Sequence, residues 1–445
     1  MTKKITLSLL AIVISSCVLI SAGLIVGAFF LLKAQKNYTP PVDTAEPLTI
    51  DEQMDQIQEQ VSNLRGLDLK DPLDRAMMTT DELKDVVTND FFVDYPPEEA
   101  ALDSDFLSVL GLVEPGFDLL QFYKDLYSEQ VAGYYDSETK EMYVIADEGF
   151  GGLERMTYAH EFTHVLQDQT YDMENGLMVN EDYCDQASEY CSAVTALIEG
   201  DAVLSEQYWF LRDSTDQDKI DVSDFQATYV SPVYDSAPEY MKQDFLFPYQ
   251  QGFAFVNYLY GDNGWRSVDK AYKNPPITTE QIMHPEKYPE DRPIKVTLPD
   301  LSPILGEGWS EYDSNVMGEW YTYLMLSAGV DPQTRLSETN ASEAAAGWGG
   351  DAYVYYIDEK SDHYVFAWLS SWDTLPDSDD FYAAGLEYGI LRWGDGSNDD
   401  AGRVSWKVNG GPEVTIRQSG NDVLWLISDD SKAFDQTLNA FKDFR

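Results

Sequence analysis

The sequence predicts an α+β fold that follows a single N-terminal transmembrane helix. Three observations indicate this class. Helical patterns recur from residue 51 onward, and a pair of strand-like runs precedes the motif at His160–His164. After residue 300, strand-like runs alternate with helices. With 44% hydrophobic and 13% aromatic residues among 445, the chain has enough apolar side chains to fold and is long enough for two domains.

The first element is an apolar segment. Residues 5–32 contain no charge, and Lys3 and Lys4 precede them. The run exceeds the ~20 residues that span a bilayer core and is too long for a cleaved signal peptide. We therefore expect residues 1–36 to be a single-pass signal anchor in the cell membrane, with the rest of the chain outside the cytoplasm. Lipidation at Cys17, which ends a lipobox-like sequence, is the alternative.

A linker and a first globular domain follow. Residues 37–50 are rich in proline and lack periodicity, which is typical of a linker. Residues 51–299 are predicted to be the first domain. Its expected early elements are helices at 51–64, 97–112 and 118–129, a strand at 75–78 and a further helix introduced by Thr79-Thr80. Thr79 and Glu82 have the spacing of a capping box. Aromatic and β-branched runs at 130–135 and 141–146 predict a hairpin, and helices are expected at 153–169, 193–211 and 252–259.

The most informative stretch is His160-Glu161-Phe162-Thr163-His164, inside the helix predicted at 153–169. At about 100° per residue the two histidines lie one turn apart on one face, so both imidazoles can point at one ion. Glu161 projects beside them, where a carboxylate can activate water. Because the chain has only four histidines, two of them at this spacing favour one catalytic Zn²⁺ over coincidence.

Glu199 is the predicted third ligand. Catalytic zinc takes three protein ligands and keeps a fourth position open. Glu199 lies on a helix of otherwise apolar residues, where an unpaired carboxylate would be costly to bury. Gly200 beside it would let this helix approach the motif helix closely. Glu189 and Glu181 are the alternatives, in a stretch whose polarity indicates exposure.

Three further groups are predicted around these ligands. Asp168, one turn after His164, can accept the free N–H of a ligand histidine, although a solvated helix-end acid is an equally good interpretation. Asp201 points away from Glu199 on an ideal helix, which argues against a backing role. His284, in a loop before a proline, is the candidate for stabilising an oxyanion, with Tyr288 and Tyr249 as substitutes.

Cys184 and Cys191 are the two cysteines outside the apolar segment. In an exported chain their proximity predicts a disulfide, with two free thiols as the alternative. On a continuous helix their Cα atoms would be ~10 Å apart, too far to bridge. A disulfide therefore predicts a break in the helix between Asp182 and Ser188.

Residues 300–445 are predicted to form a second α+β region. We expect strands at 353–357, 364–369, 404–408, 413–418 and 423–427, with helices near 316–328, 378–386 and 431–441, as a small sheet with helices on one side. Two acidic loops, 373–380 and 395–400, offer oxygen ligands for Ca²⁺. Neither has EF-hand spacing, so solvated loops are the favoured interpretation.

The charge balance excludes one class of partner. With 29 basic and 79 acidic residues the formal net charge is −50. Such a surface repels the phosphate backbone, so nucleic-acid binding is not expected.

The motif residues also carry a family resemblance. His160, Glu161 and His164 on one helix, followed by Glu199 on a second, resemble the gluzincin arrangement of zinc metallopeptidases. The segments 131–136, 164–169, 199–202, 279–288 and 344–351 are similar to uncharacterised bacterial membrane-anchored proteins of that type. The resemblance implies a zincin-like domain whose edge strand before the motif helix, here 141–146, binds extended peptide. Well-studied gluzincins often carry an acid four residues after the glutamate ligand, where this chain has Val203.

Together these observations predict a membrane-anchored extracytoplasmic zinc metallopeptidase that cleaves a peptide or protein substrate. Glu161 would be the general base and His160, His164 and Glu199 the ligands. The region after residue 300 would brace the peptidase or recruit substrate. Two alternatives stay open: a scaffold that keeps the fold without turnover, and a zinc hydrolase of a non-protein amide such as cell-wall peptide.

Overall fold

The computed structural model describes residues 14–18, as main chain only, together with residues 48–398 and 403–444. Most of the predicted anchor (1–36) and linker (37–50) therefore lies outside the described residues, as does the side chain of Cys17. Residues Ile14–Val18 form a short strand, β1. Among the helices that the structure describes, none combines the length and apolarity needed to cross a membrane.

The first region is mainly helical, and most predicted elements are present. In chain order its helices and strands are α1 (Ile50–Arg65), β2 (Asp74–Met78), α2 (Thr80–Val86), α3 (Pro97–Leu110), α4 (Leu119–Gln130), β3 (Val131–Asp136), β4 (Glu141–Ile145), α5 (Gly152–Tyr171), α6 (Glu181–Cys184), α7 (Ser188–Arg212), α8 (Asp216–Thr228), α9 (Pro232–Ser236), α10 (Glu239–Asn263), α11 (Trp265–Lys273), α12 (Thr279–Met283) and α13 (Ser302–Leu305). Local chemistry fixes several helix starts. The predicted capping box at Thr79 and Glu82 is confirmed, and Thr49 and Glu52 form another at the start of α1.

A four-stranded sheet in the order β1-β3-β4-β2 lies against α5. The hairpin of β3 and β4 is confirmed, with Gly133 opposite Val144. β4 was expected to be an edge strand, and this is wrong. Its second side pairs in parallel with β2, from Asp74 opposite Glu141 to Met78 opposite Ile145. The far side of β3 pairs with β1.

The predicted disulfide joins Cys184 and Cys191, whose Cα atoms are 5.6 Å apart. The expected helix break is also present, because α6 ends at Cys184 and α7 begins at Ser188. The bridge closes this short loop directly before the long helix that carries Glu199.

The second region is built on a seven-stranded sheet, which confirms the α+β class. Its elements are β5 (Trp309–Asn315), α14 (Gly318–Ser327), α15 (Glu338–Ala345), β6 (Trp348–Asp358), β7 (Tyr364–Trp372), α16 (Leu375–Trp393), β8 (Ser397–Asn398), β9 (Val404–Lys407), β10 (Glu413–Ser419), β11 (Asp422–Ser428) and α17 (Ser431–Ala440). The strand order is β5-β6-β7-β11-β10-β9-β8, and every neighbouring pair is antiparallel.

Helices cover both faces of this sheet, not one as expected. On one face Trp368 and Trp425 pack against Phe381 of α16. On the other, a separate core that includes Val365 and Leu426 contains Phe434 of α17. Successive side chains of a strand point to opposite faces of the sheet, and both faces are buried here. The central strands are therefore apolar along nearly every residue and not only at alternate ones.

One continuous core crosses residue 300, where the second region was predicted to begin. Phe106 of α3 stacks on Tyr355 of β6, with ring centroids 4.7 Å apart, and Phe247 of α10 lies 4.5 Å from Trp320 of α14. The sheet therefore braces the helical region through shared aromatic packing.

The first of the two acidic segments, 373–380, has partners within the chain and runs into helix α16. Asp373 lies 3.3 Å from Lys287 Nζ. Asp377 accepts hydrogen bonds from Thr374 and so caps the start of α16. Asp399 and Asp400, in the second loop, lie outside the described residues.

Candidate metal centre

The motif helix α5 lies at the centre of the helical region. All residues from Met156 to Asp168 are buried, so this part of the helix is enclosed on every side. Buried imidazoles and carboxylates need partners because leaving them unpaired costs free energy. The partners of His160 and His164 define the candidate site.

His160, His164 and Glu199 meet as predicted. Their possible ligand atoms all lie within 4.8 Å of one another, and the three residues are buried. Glu199 Oε2 lies 3.2 Å from His160 Nε2 and 3.5 Å from His164 Nε2. Helix α7 supplies Glu199 and α5 supplies the histidines. These three side chains form a group able to hold a metal ion.

The alternative third ligands are placed elsewhere. Glu189, at the start of α7, is buried and not exposed as its sequence surroundings indicated. Its Oε1 accepts a 2.8 Å hydrogen bond from Thr279 Oγ1. Glu181 begins the short helix α6, three residues before the disulfide-bonded Cys184. Glu199 is the candidate that faces both imidazoles.

The second nitrogen of each imidazole also has a partner. His160 Nδ1 lies 2.8 Å from Glu206 Oε2, and His164 Nδ1 lies 2.8 Å from Gln167 Oε1. Both partners are oxygen acceptors, so each Nδ1 carries the hydrogen. Each Nε2 then faces Glu199, where it can carry a proton or, with its lone pair free, bind a metal ion.

Asp168 has a different role from the one predicted. Its carboxylate accepts hydrogen bonds from Tyr135 OH at 2.7 Å and Lys140 Nζ at 2.8 Å. It therefore ties the β3–β4 hairpin to the motif helix. The role predicted for Asp168, accepting the N–H of a ligand histidine, belongs to Glu206 and Gln167 instead.

The arrangement fits a cation. Two imidazole lone pairs and a carboxylate oxygen converge, and acceptors in contact repel unless a proton or metal ion lies between them. His164 Nε2 is buried and makes no hydrogen bond within the described part of the chain. Two imidazoles and one carboxylate form the usual three-ligand set of a catalytic zinc site, which keeps one position open.

The charges in the site support the same conclusion. Burial opposes ionisation of Glu199, but the facing imidazoles outweigh it and lower the pKa of Glu199 to about 2. Burial likewise opposes the charge on His160. Its hydrogen bonds to Glu199 and Glu206 outweigh that cost and raise the pKa of His160 to about 10. The cluster therefore favours net positive charge between the ligands.

Glu161 lies beside this group, under strand β3. A Cβ added to Gly133 would lie 3.2 Å from Glu161 Cγ and 2.7 Å from Thr157 Cγ2. Only a residue without a side chain allows the strand to pass this close to the motif helix. The main chain of β3 consequently runs across the general-base candidate.

Gly200 permits a close helix contact, but with a different helix from the one predicted. A Cβ on Gly200 would lie 2.1 Å from the carbonyl oxygen of Gly252 in α10, and one on Gly252 would lie 2.0 Å from that of Ala196. Helices α7 and α10 thus meet main chain to main chain directly beside Glu199.

The predicted oxyanion groups are not equally placed. The ring of Tyr249 in α10 is buried, with its centroid 6.4 Å from that of His160. His284 Nε2 instead lies 2.8 Å from Glu319 Oε1 of α14, and Tyr288 OH donates to the carbonyl of Asn274. The hydrogen bond to Glu319 outweighs partial burial and raises the pKa of His284.

Two site residues, Glu206 and Gln167, were missed from the sequence. Glu206 lies seven residues after Glu199, which is two helical turns and therefore the same face of α7. Gln167 lies three residues after His164, also on one face. Helical periodicity was the available signal, since each is a polar residue in line with a ligand.

Comparison with known proteins identifies one partial similarity. Residues 306–438, which cover the seven-stranded sheet, match the family described as DUF8575, a domain of unknown function. No curated protein and no solved structure matches the chain. The similarity thus lies in the second region and does not include the candidate metal ligands.

Proposed function

We propose that this protein is a zinc-dependent metallopeptidase with a zincin-like helical domain. The observation that carries the proposal is the convergence of His160 Nε2, His164 Nε2 and Glu199 Oε2 beside Glu161. A purely structural zinc site is usually closed by four protein ligands, whereas this set has three. A zinc ion bound there would supply Lewis acidity that polarises a carbonyl and acidifies water.

In this proposal the chain's own side chains handle the proton. Glu161 takes a proton from the water that attacks the peptide carbonyl carbon. As the C–O bond forms and the C–N bond breaks, Glu161 passes that proton to the departing amine nitrogen. Tyr249, beside His160, is the better-supported donor to the developing oxyanion, with His284 as the alternative.

A peptide substrate is favoured by the strand above Glu161. The far edge of β3 pairs antiparallel with the extended segment Ile14–Val18, so this edge is of a kind that accepts an extended chain. The disulfide between Cys184 and Cys191 supports an extracytoplasmic location, because such bonds persist in oxidising compartments. We also propose attachment to the cell membrane through residues 1–36, in which case Ile14–Val18 would leave β3 on insertion and free that edge for a substrate.

The proposal is tested by Glu161→Gln in the full-length chain loaded with zinc. We expect zinc content to stay at the wild-type level while cleavage of a peptide library falls ~10²–10⁴-fold, because the amide cannot accept the proton. Glu154→Gln is the matched control, as it makes the same change two turns earlier on α5, where Glu154 caps the helix. Full cleavage by Glu161→Gln, or wild-type cleavage that a chelator does not affect, would contradict the proposal.

A further inference from the structure

The hydrogen bonds of Gln167 define which way its amide faces. Its Nε2 lies 3.0 Å from the carbonyl oxygen of Ile198 and 3.1 Å from Asp201 Oδ2. Both are acceptors, so the NH₂ group must face them. The amide oxygen is therefore turned toward His164 Nδ1, 2.8 Å away, and can only accept from it.

Asp201 is itself held in place by a buried arginine. Arg65 of α1 donates from Nε to Asp201 Oδ1 at 2.8 Å and from Nη2 to Oδ2 at 3.1 Å. Tyr272 OH of α11 donates to Oδ2 at 2.8 Å. These donors hold the carboxylate of Asp201 in one orientation, with Oδ2 placed to accept from Gln167 Nε2. A chain of contacts thus runs from Arg65 through Asp201 and Gln167 to His164.

The outer end of this chain is equally restrained. Arg65 Nη1 donates to Asp269 at 2.8 Å, and the guanidinium lies 4.6 Å from the centroid of the Trp265 ring. The side chain of Arg65 is fully buried. A buried ion pair of this kind is weak evidence for stability, because desolvation offsets its attraction. The role of this ion pair is then to hold the carboxylate of Asp201 in one orientation.

We propose that Arg65, Asp201 and Gln167 are positioning residues that fix His164 as its Nδ1–H tautomer and so direct the Nε2 lone pair at the metal position. This inference rests on the metal centre of the proposed function. It explains why Asp201, which points away from Glu199, is nevertheless buried beside the site: it orients the amide that orients the imidazole.

The two ligand histidines are consequently backed by different groups. His160 has the carboxylate of Glu206, whereas His164 has a neutral amide whose direction is imposed by an ion pair. A carboxylate can accept from Nδ1–H in either of its own orientations, but an amide accepts in only one. For this reason the amide of Gln167 has to be held in its orientation by Asp201 and Arg65.

The first experiment measures zinc affinity of the full-length chain by chelator competition in Gln167→Met and Gln167→Glu. The methionine variant keeps the shape but offers no good acceptor, so we expect affinity to fall ~10–100-fold. The glutamate variant restores the acceptor and should recover most of that loss, although a buried carboxylate beside Asp201 makes it the less stable protein. Packing alone predicts the reverse order of affinity.

Gln169→Met is the control, because Gln169 lies on the same helix and contacts the main chain of Lys70 and Asp71 instead. Its zinc affinity should equal that of the wild type. Equal affinity of Gln167→Met and wild type, or tighter binding by Gln167→Met than by Gln167→Glu, would overturn the inference. Zinc binding that follows the predicted order without any peptide cleavage would support it while contradicting the proposed function.

A second measurement needs no variant to fold. Selective ¹⁵N labelling of histidine gives only four rings in this chain. In the wild type we expect His164 to carry a slowly exchanging proton on Nδ1. A His164 proton on Nε2 in the neutral ring, or an Nδ1 proton that exchanges as fast as that of the exposed His363, would refute the tautomer assignment.

Discussion

The helical region and the C-terminal sheet both bury acidic side chains, but they satisfy them differently. In the sheet region Asp351 accepts hydrogen bonds from the main-chain N–H groups of Met317 and Gly318 and from Trp348 Nε1. Around α5 and α7, Glu199 instead faces the Nε2 atoms of two imidazoles. A buried acid surrounded by donors has its hydrogen bonds made within the protein, whereas three possible ligands that converge on one point are able to hold a cation.

The largest expected effect is on zinc content, which should depend on a histidine of the helical region and not on one of the sheet region. His160→Ala removes one of three ligands, so we expect the approximately one zinc ion per chain to be lost. His363→Ala is the control in the sheet region, where the ring is 42% exposed and pairs with Asp429. Metal analysis after gel filtration distinguishes the two. Zinc retained by His160→Ala would place the metal elsewhere.

The next effect is on the free energy of unfolding, which a substitution in the sheet should lower without changing the candidate metal site. Trp425 is buried against Trp368, Tyr388 and Trp393. Trp425→Ala should lower the free energy of unfolding by about 3–5 kcal/mol because it leaves a cavity. Zinc per folded chain should not change. Denaturant titration with metal analysis of the folded fraction tests this, and loss of zinc from a chain that is still folded would show that the regions are not separable.

A smaller effect is expected at Glu206. Glu206→Ala leaves the buried Nδ1–H of His160 without its acceptor, so zinc affinity should fall ~10–100-fold with the three ligands intact. Glu206→Gln keeps an acceptor oxygen and should lose less. Chelator competition compares them, and identical affinities for all three proteins would show that His160 is oriented without Glu206.

The last effect concerns the contact between the regions and develops gradually with pH. Burial raises the pKa of Glu189 from 4.5 to about 8, where it lies between Thr279 and Gly318. Between those values the unfolded chain has lost the proton and the folded chain keeps it, so this group makes stability fall as pH rises, by at most about 1.4 kcal/mol per pH unit.

Glu189→Gln should flatten that part of the profile, since the amide does not titrate. Exposed Glu138→Gln on the β3–β4 turn is the matched control and should retain the wild-type slope. Unfolding free energies measured from pH 5 to pH 8 decide the matter. A wild-type profile that Glu189→Gln leaves unchanged would show that Glu189 does not link the two regions through its proton.

Local signals in the sequence predicted much of the helical region. Capping residues such as Thr79 and the hydrophobic periodicity placed most of the predicted helices within a few residues of their observed ends. Helices α8 and α11 were not predicted, and α10, expected from Gly252, begins at Glu239 and continues through Pro248. A proline removes one main-chain donor and usually ends a helix, but packing can sustain the helix across it.

Long-range pairing explains the remaining errors. β4 is not an edge strand because β2, more than sixty residues earlier, pairs along it in parallel, and nothing in the local pattern of either strand encodes that partner. The ligands of the candidate site follow from spacing on two helices. The contacts of Gln167 and Asp201 required knowledge of how α1, α5, α7 and α11 come together.

The contact between Gly200 and Gly252 has a consequence for how this site tolerates change. Glu199 directly precedes Gly200 on α7, so its position depends on how closely α7 approaches α10, and two missing methyl groups set that approach. Adding even one carbon at either position must push the helices apart, because the atoms in its way are main chain. The positions least open to substitution therefore include two that carry no functional group at all.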